Sequence, residues 1–221
     1  MIVSSIHSTT VATYGFRSGY SCDDITSIMR QTICFSHHWG VYLVVGTLDI
    51  AVAFDSVDRQ VMADILSRRG LHPNLVRAIM REVSFMKCNI SLPGVDACDR
   101  FDMQTGGKQG GVETPTLFNA MIDSILLPVV KSWRQRSMGF SFGDEDERPL
   151  SHLIWADNVI LFAKSIVEFN QMAQDLTNAI YAAGFQWKLS SLECILCGGV
   201  TADSSNLGIQ NPFAMPFKVV D

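Results

Sequence analysis

Trp155-Ala156-Asp157-Asn158 sits between two apolar runs, Leu153-Ile154 and Val159-Ile160-Leu161-Phe162. Two apolar runs around a short break read as strand, tight turn, strand, with an acidic residue at the tip. A second acid, Asp49, closes another apolar run, Val41-Tyr42-Leu43-Val44-Val45-Gly46-Thr47-Leu48. Its near-continuous apolar character predicts a strand buried on both faces. Two carboxylates held at the ends of rigid strands are what a Mg²⁺-dependent phosphoryl-transfer site needs, because hard cations take oxygen ligands. Asn158 stands beside Asp157 where a second carboxylate would strengthen such a site.

The remaining pattern places these acids in an α+β chain. At 221 residues with 48% hydrophobic and 18% charged side chains, the chain can bury a sizeable core. A helix is expected from a cap at Ser21 or Asp23 to about His37, with Ile25, Ile28, Met29 and Ile33 inward. A second covers 57–69, ended by Gly70, and a third starts at His72-Pro73. Short strands are predicted over 86–92 and about 100–104, joined by a Pro93-Gly94 turn. The glycine loop 106–111 leads into a long helix over about 116–136. After the hairpin, Ser165 caps a helix to about Ala183, with Val167, Met172, Leu176, Ala179 and Ile180 in register. A last strand covers about 192–196. Residues 1–13 are aperiodic and expected to be disordered, and residues 198–221 are expected to fray. Strands and helices alternate irregularly around a hairpin, which indicates a small antiparallel or mixed sheet with helices packed on one face.

Charge and cysteine usage narrow the function. The net charge is −5 and the pI about 5.5, which argues against tight nucleic-acid binding by charge alone. Part of the acidity is one run, Asp144-Glu145-Asp146-Glu147, expected to be a solvated loop tip. The six scattered cysteines fit reduced intracellular thiols. Cys194-Ile195-Leu196-Cys197 is a lone CxxC pair, weak evidence for zinc, and His37-His38 fits an exposed helix end. No apolar run of about 18 residues is uninterrupted by charge or turn residues, so no membrane span is expected. The expected location is intracellular, nuclear or cytoplasmic.

Five segments, in order, resemble motifs of the reverse transcriptase family, most closely the non-LTR retrotransposon and group II intron type. Tyr14-Gly15-Phe16-Arg17-Ser18-Gly19-Tyr20-Ser21-Cys22 resembles the fingers motif GFRPG-x-S. Leu48-Asp49-Ile50-Ala51-Val52-Ala53-Phe54-Asp55-Ser56-Val57 resembles LD-xx-KAFD-x-V of the palm. Gln109-Gly110-Gly111-Val112-Glu113-Thr114-Pro115-Thr116-Leu117-Phe118-Asn119 resembles QGDPLSPLLFN, and Trp155-Ala156-Asp157-Asn158 resembles YADD. Gly184-Phe185 through Glu193 resembles GL…N-xx-KTE. The resemblance covers residues 14–197 and implies a polymerase palm with partial fingers and no thumb.

The resemblance implies roles residue by residue. Asp49 and Asp157 would ligate Mg²⁺ or Mn²⁺, with Asn158 completing the catalytic set. Phe54 falls where the family bars a ribose 2′-hydroxyl. Gln109 and Gly110 fall where it contacts nucleotide and template, and Arg17 where the fingers hold either. The implied partners are an RNA template with a DNA primer, and deoxynucleoside triphosphates; the oligomeric state is left open. Plainer readings stand beside these: Asp55 and Asp58 as helix caps, Phe54 as core, Trp155 as a packed aromatic. The sequence departs from the family pattern at Asn158, at Val52 in place of a lysine, and at Glu113 near a proline. It departs again where Lys188 replaces an asparagine and Ser191-Leu192 replace Lys-Thr. The sequence thus supports an RNA-directed DNA polymerase domain of retroelement origin. The alternative is an inactive remnant that binds nucleic acid or protein. A third reading is an unrelated Mg²⁺ enzyme sharing only the carboxylate pair.

Overall fold

The computed structural model describes residues 12–84, 87–88, 101–102, 105–107, 111–143, 149–199, 207–210 and 215–220. Two compact units divide them, one within Val52–Met121 and the other within Thr9–Ala51 and Ile122–Asp221. In chain order the elements are α1 (Cys22–Trp39), β1 (Leu43–Asp49), α2 (Arg59–Arg68), α3 (Pro73–Ser84), β2 (Lys87–Cys88) and β3 (Phe101–Asp102). They continue with α4 (Thr114–Gln135), β4 (His152–Trp155), β5 (Asn158–Ala163), α5 (Ile166–Ala182) and a single 3₁₀ turn (Leu189–Ser191). Last come β6 (Glu193–Cys197), β7 (Gly208–Ile209), β8 (Met215–Pro216) and β9 (Lys218–Val219).

The second unit is a mixed sheet in the order β4-β5-β1-β6-β9. β1 lies at its centre, antiparallel to both β5 and β6, while β9 joins β6 in parallel. Burial of β1 on both faces follows from its sequence. Leu43 and Val45 join Leu153, Ile160, Phe162 and the α1 residue Ile25 in one core cluster. On the opposite face, Gly46 seats the Phe169 ring of α5; a Cβ there would overlap that ring. α5 and the end of α4 cover this second face, where Trp133 meets His152 with ring centroids 5.9 Å apart. α5 and the end of α4 thus share one face of the sheet, and α1 adds cover to the other.

Local signals set the helix ends. Ser21, not Asp23, caps α1: its N–H donates to Asp24 Oδ2 at 2.7 Å, closing a capping box. Ser165 Oγ accepts from Glu168 N at 3.2 Å and starts α5. The inward stripe of α5 runs through Phe169, Met172, Ala173, Leu176, Thr177 and Ile180. Val167, expected inward, is 80% exposed, because it lies off that stripe and Phe169 takes the core position.

Described residues near both ends of the expected domain pack against it. Residues 12 and 13, assigned to a disordered N-terminus, form an extended segment on the edge of β4. Ile154 N donates to Ala12 O at 2.9 Å and Tyr14 N to Ile154 O at 2.8 Å. The tail assigned to fraying packs through Leu207, Ile209, Met215 and Phe217, all buried. Phe217 meets Phe169 edge-on, with centroids 4.9 Å apart. These four apolar side chains hold the described residues of the tail, a signal that composition alone obscures.

The edge segment also fixes a buried histidine. Ala12 N–H can only donate, and it reaches His152 Nε2 at 3.3 Å. The ring proton therefore sits on Nδ1, which faces Ser151 Oγ at 2.8 Å. Burial, then the charge of Arg134, lower the His152 pKa from 6.5 to about 4. The folded state keeps this ring neutral while the unfolded chain protonates it, so stability present above pH 6.5 is lost as pH falls toward 4. Over that window the expected loss is about 3 kcal/mol. Urea midpoints at pH 7 and pH 4.5 test it: His152→Asn should flatten the dependence, and an equal slope in both proteins would reject it.

The first unit holds α2, α3, the β2–β3 pair and the start of α4. Asp58 caps α2, as the sequence suggested, accepting from Gln60 N at 2.7 Å and Val61 N at 3.1 Å. Asp55 lies in the preceding turn, its N–H donating to Val52 O at 3.0 Å. Of the strands predicted over 86–92 and 100–104, the described residues show Lys87–Cys88 pairing with Phe101–Asp102. The Pro93-Gly94 turn and the acidic run 144–147 lie outside the described residues.

Candidate two-carboxylate site

Asp49 is the last residue of the central strand, and Asn158 the first of its neighbour; the two are paired in register. Side chains of such antiparallel partners stand on the same face. Trp155 pairs with Asn158 across the hairpin, so Ala156 and Asp157 form a two-residue turn. The turn is tied to the end of β1, with Ile50 N donating to Asp157 O at 3.0 Å. Asp49 and Asp157, 108 positions apart in sequence, therefore lie at one end of adjacent strands.

Asp157 senses Asp49. Burial raises the pKa of Asp157 above the usual carboxylate value, and the charge of Asp49 raises it further. The backbone hydrogen bond of Asp157 and the ammonium of Lys188 act in the opposite direction. Lys188 Nζ lies 3.6 Å from Asp49 Oδ2.

The turn is under strain. Ala156 has φ +55°, a left-handed conformation that costs a residue with a Cβ about 1–2 kcal/mol. Such strain collects at functional turns held by their surroundings. Here the surroundings include Gly15, whose backbone lies so close to Ala156 N that a Cβ would overlap it. The fingers-type loop thus braces the turn that presents Asp157.

The residues present suit a hard divalent cation. Asp49 and Asp157 offer carboxylate oxygens, and Asn158 Oδ1 is buried without a hydrogen-bond partner among the described residues. An orphaned buried oxygen beside two carboxylates is a ready third donor. Among the described residues no group of three or more His, Cys, Asp or Glu could hold a metal, so the site rests on two acids and an amide. The zinc reading of the CxxC pair is not supported. Cys194 and Cys197 lie three apart on one strand, hence on opposite faces, and both thiols are buried. Burial raises the Cys194 pKa to about 11.

Arg17 donates to Thr13 O at 2.9 Å and stacks its guanidinium over Tyr20 at 4.9 Å. Phe54 belongs to the other unit, where its ring packs on Phe118 with centroids 4.7 Å apart. Gln109 and Gly110 lie outside the described residues. Two contacts here were not read from the sequence: the ion pair of Lys188 with Asp49 and the close approach of Gly15 to the turn. The antiparallel bridge between Ile50 and Trp187 brings Lys188 in, and no periodicity encodes that pairing.

The family model described as "Reverse transcriptase (RNA-dependent DNA polymerase)" matches residues 2–192. The Retrovirus-related Pol polyprotein from type-1 retrotransposable element R2 of Popillia japonica is 26% identical over 177 residues, 80% of this chain and 23% of that protein. Among solved structures, telomerase from Candida tropicalis in complex with a TWJ fragment of telomeric RNA superposes with a TM-score of 0.67 at 9% identity. It covers 91% of this chain and 33% of that one. The Candida albicans enzyme, also solved with a TWJ fragment, gives 0.63 at 9% identity, with 91% and 33% covered. These structures share the palm fold. The chain spans about a quarter of the polyprotein and a third of each telomerase.

Proposed function

Because the chain belongs to the reverse transcriptase family, we propose that it carries the palm of an RNA-directed DNA polymerase of retroelement origin, adding deoxynucleotides to a primer 3′-oxygen on an RNA template. The observation that supports this best is the delivery of Asp49 and Asp157 to one end of neighbouring strands. Family membership sets aside the unrelated Mg²⁺ enzyme.

Asp49 and Asp157 would hold Mg²⁺ or Mn²⁺, with Asn158 Oδ1 as a neutral third oxygen. Bound there, such cations activate the primer oxygen and neutralise the departing pyrophosphate. The protein's own contribution is position: two carboxylates on paired strands, held by a hairpin that Gly15 braces. Arg17, Phe54, Gln109 and Gly110 are assigned to template and nucleotide on their motif positions. No helix among the described residues is long and apolar enough to cross a membrane, and the reading places the chain in the nucleus or cytoplasm.

One observation favours the inactive, binding-only alternative: an amide occupies the place of the second acid. Primer extension separates the two. The assay supplies an RNA template, annealed DNA primer, deoxynucleotides and Mg²⁺ or Mn²⁺. Templated extension that disappears in Asp49→Asn is the expected result. No extension by the wild type, and none gained in Asn158→Asp, would leave a binding module.

A further inference from the structure

Asp49 already has a cation. Lys188 Nζ stands 3.6 Å from its Oδ2, and the backbone around Lys188 is pinned from several sides. Lys188 N donates to Asp49 O at 2.8 Å, so the ammonium and its own main chain grip one residue. Ala51 N donates to Gln186 O at 2.8 Å on the preceding side. Trp187 is buried, paired with Ile50, and anchored by its Nε1–H to Thr177 Oγ1 at 2.9 Å. On the following side, Ser191 donates to Lys188 O from both its N–H, at 2.9 Å, and its hydroxyl, at 2.7 Å. The stem of this lysine therefore starts from a fixed point beside the carboxylate.

We propose that Lys188 is a tethered counter-ion for Asp49, which a divalent cation must displace to engage that carboxylate. A monovalent ammonium and a divalent metal cannot both sit closely on one carboxylate without repelling each other. The ammonium compensates the two-acid site when no metal is bound, and it raises the metal concentration needed to fill it. The inference rests on the reading of Asp49 and Asp157 as the cation site.

Mn²⁺ titration of the full chain, followed by the electron paramagnetic resonance of the free ion at low ionic strength, tests it. Lys188→Gln should bind Mn²⁺ about three- to tenfold more tightly than the wild type, the range expected for removing one partly exposed charge. Lys188→Arg keeps the charge and should bind no more tightly than the wild type. Lys218→Gln removes the same net charge from a pair with Glu193 at 3.7 Å and should change little. Equal affinity in the wild type and Lys188→Gln, or tightening in Lys188→Arg or Lys218→Gln, overturns the counter-ion role while leaving the metal site in place. Absence of Mn²⁺ binding in both the wild type and Lys188→Gln overturns the metal reading, and this inference with it.

Discussion

Asp157→Asn should lose more than about 100-fold in templated extension and in Mn²⁺ affinity, yet melt at a higher temperature than the wild type. The first half follows from ligand chemistry. Changing groups that merely support a metal ligand costs about 10- to 100-fold, so converting a ligand itself from carboxylate to amide costs more. The second half follows from electrostatics. Burial and the charge of Asp49 both raise the Asp157 pKa. A group whose pKa is raised on folding contributes stability below its unfolded value, and that contribution is lost as pH rises through the folded value. At neutral pH the ionised carboxylate therefore works against the fold, and a neutral isostere relieves it. The gain should shrink as the solution is acidified. Thermal melts in EDTA at pH 7 and pH 4, with Mn²⁺ titration alongside, measure both halves. A lower melting temperature would mark Asp157 as a structural residue and count against the site.

Much of this arrangement was legible in the sequence. β1 announced its double burial through continuous apolar residues. The hairpin announced itself through two apolar runs around a short break. Ser165 and Asp58 marked helix starts, because a short polar side chain ahead of an apolar stripe has one favourable use, accepting the free N–H groups of the first turn. The relation of Asp49 to Asp157 came from the order of motifs, since no local pattern links residues so distant.

What stayed hidden depends on contacts that have no period. Lys188 reaches Asp49 because Trp187 pairs with Ile50, a single bridge outside any regular strand. Ala156 takes a left-handed conformation without being glycine or asparagine, so no turn residue advertised it. The tail looked polar and proline-rich, yet Leu207, Ile209, Met215 and Phe217 are enough to dock its described residues. Val167 yielded its expected place to Phe169 because two apolar residues two apart cannot both face the core of a helix. The partner of Phe169 decided which one did, and that partner is a glycine on a distant strand.

That pair carries the largest stability effect. The Phe169 ring is fully buried, seated on Gly46 of β1 and edge-on against Phe217. Phe169→Ala should cost about 3–5 kcal/mol, the transfer free energy of the ring together with the cavity it leaves. Against a typical total of about 5–15 kcal/mol, that removes a large share of the fold's stability. Gly46→Ala should cost about 1–3 kcal/mol for the opposite reason, since the new methyl intrudes on a filled position. Combined, the two changes should cost less than their sum by about 1 kcal/mol or more, because the methyl enters the space the ring vacated. Urea unfolding of the wild type, both single variants and the double variant closes the cycle. Additivity within about 0.5 kcal/mol would mean that ring and glycine do not share that space. Gly46 lies three residues before Asp49 on the same strand, so intrusion there bends the segment that presents the carboxylate. Gly46→Ala should therefore weaken Mn²⁺ binding as well, and restoring the space with Phe169→Ala should recover part of that affinity in the double variant even though its stability stays low. Strand geometry would then govern the site separately from overall stability, as the placement of a cation ligand at the end of a buried strand requires.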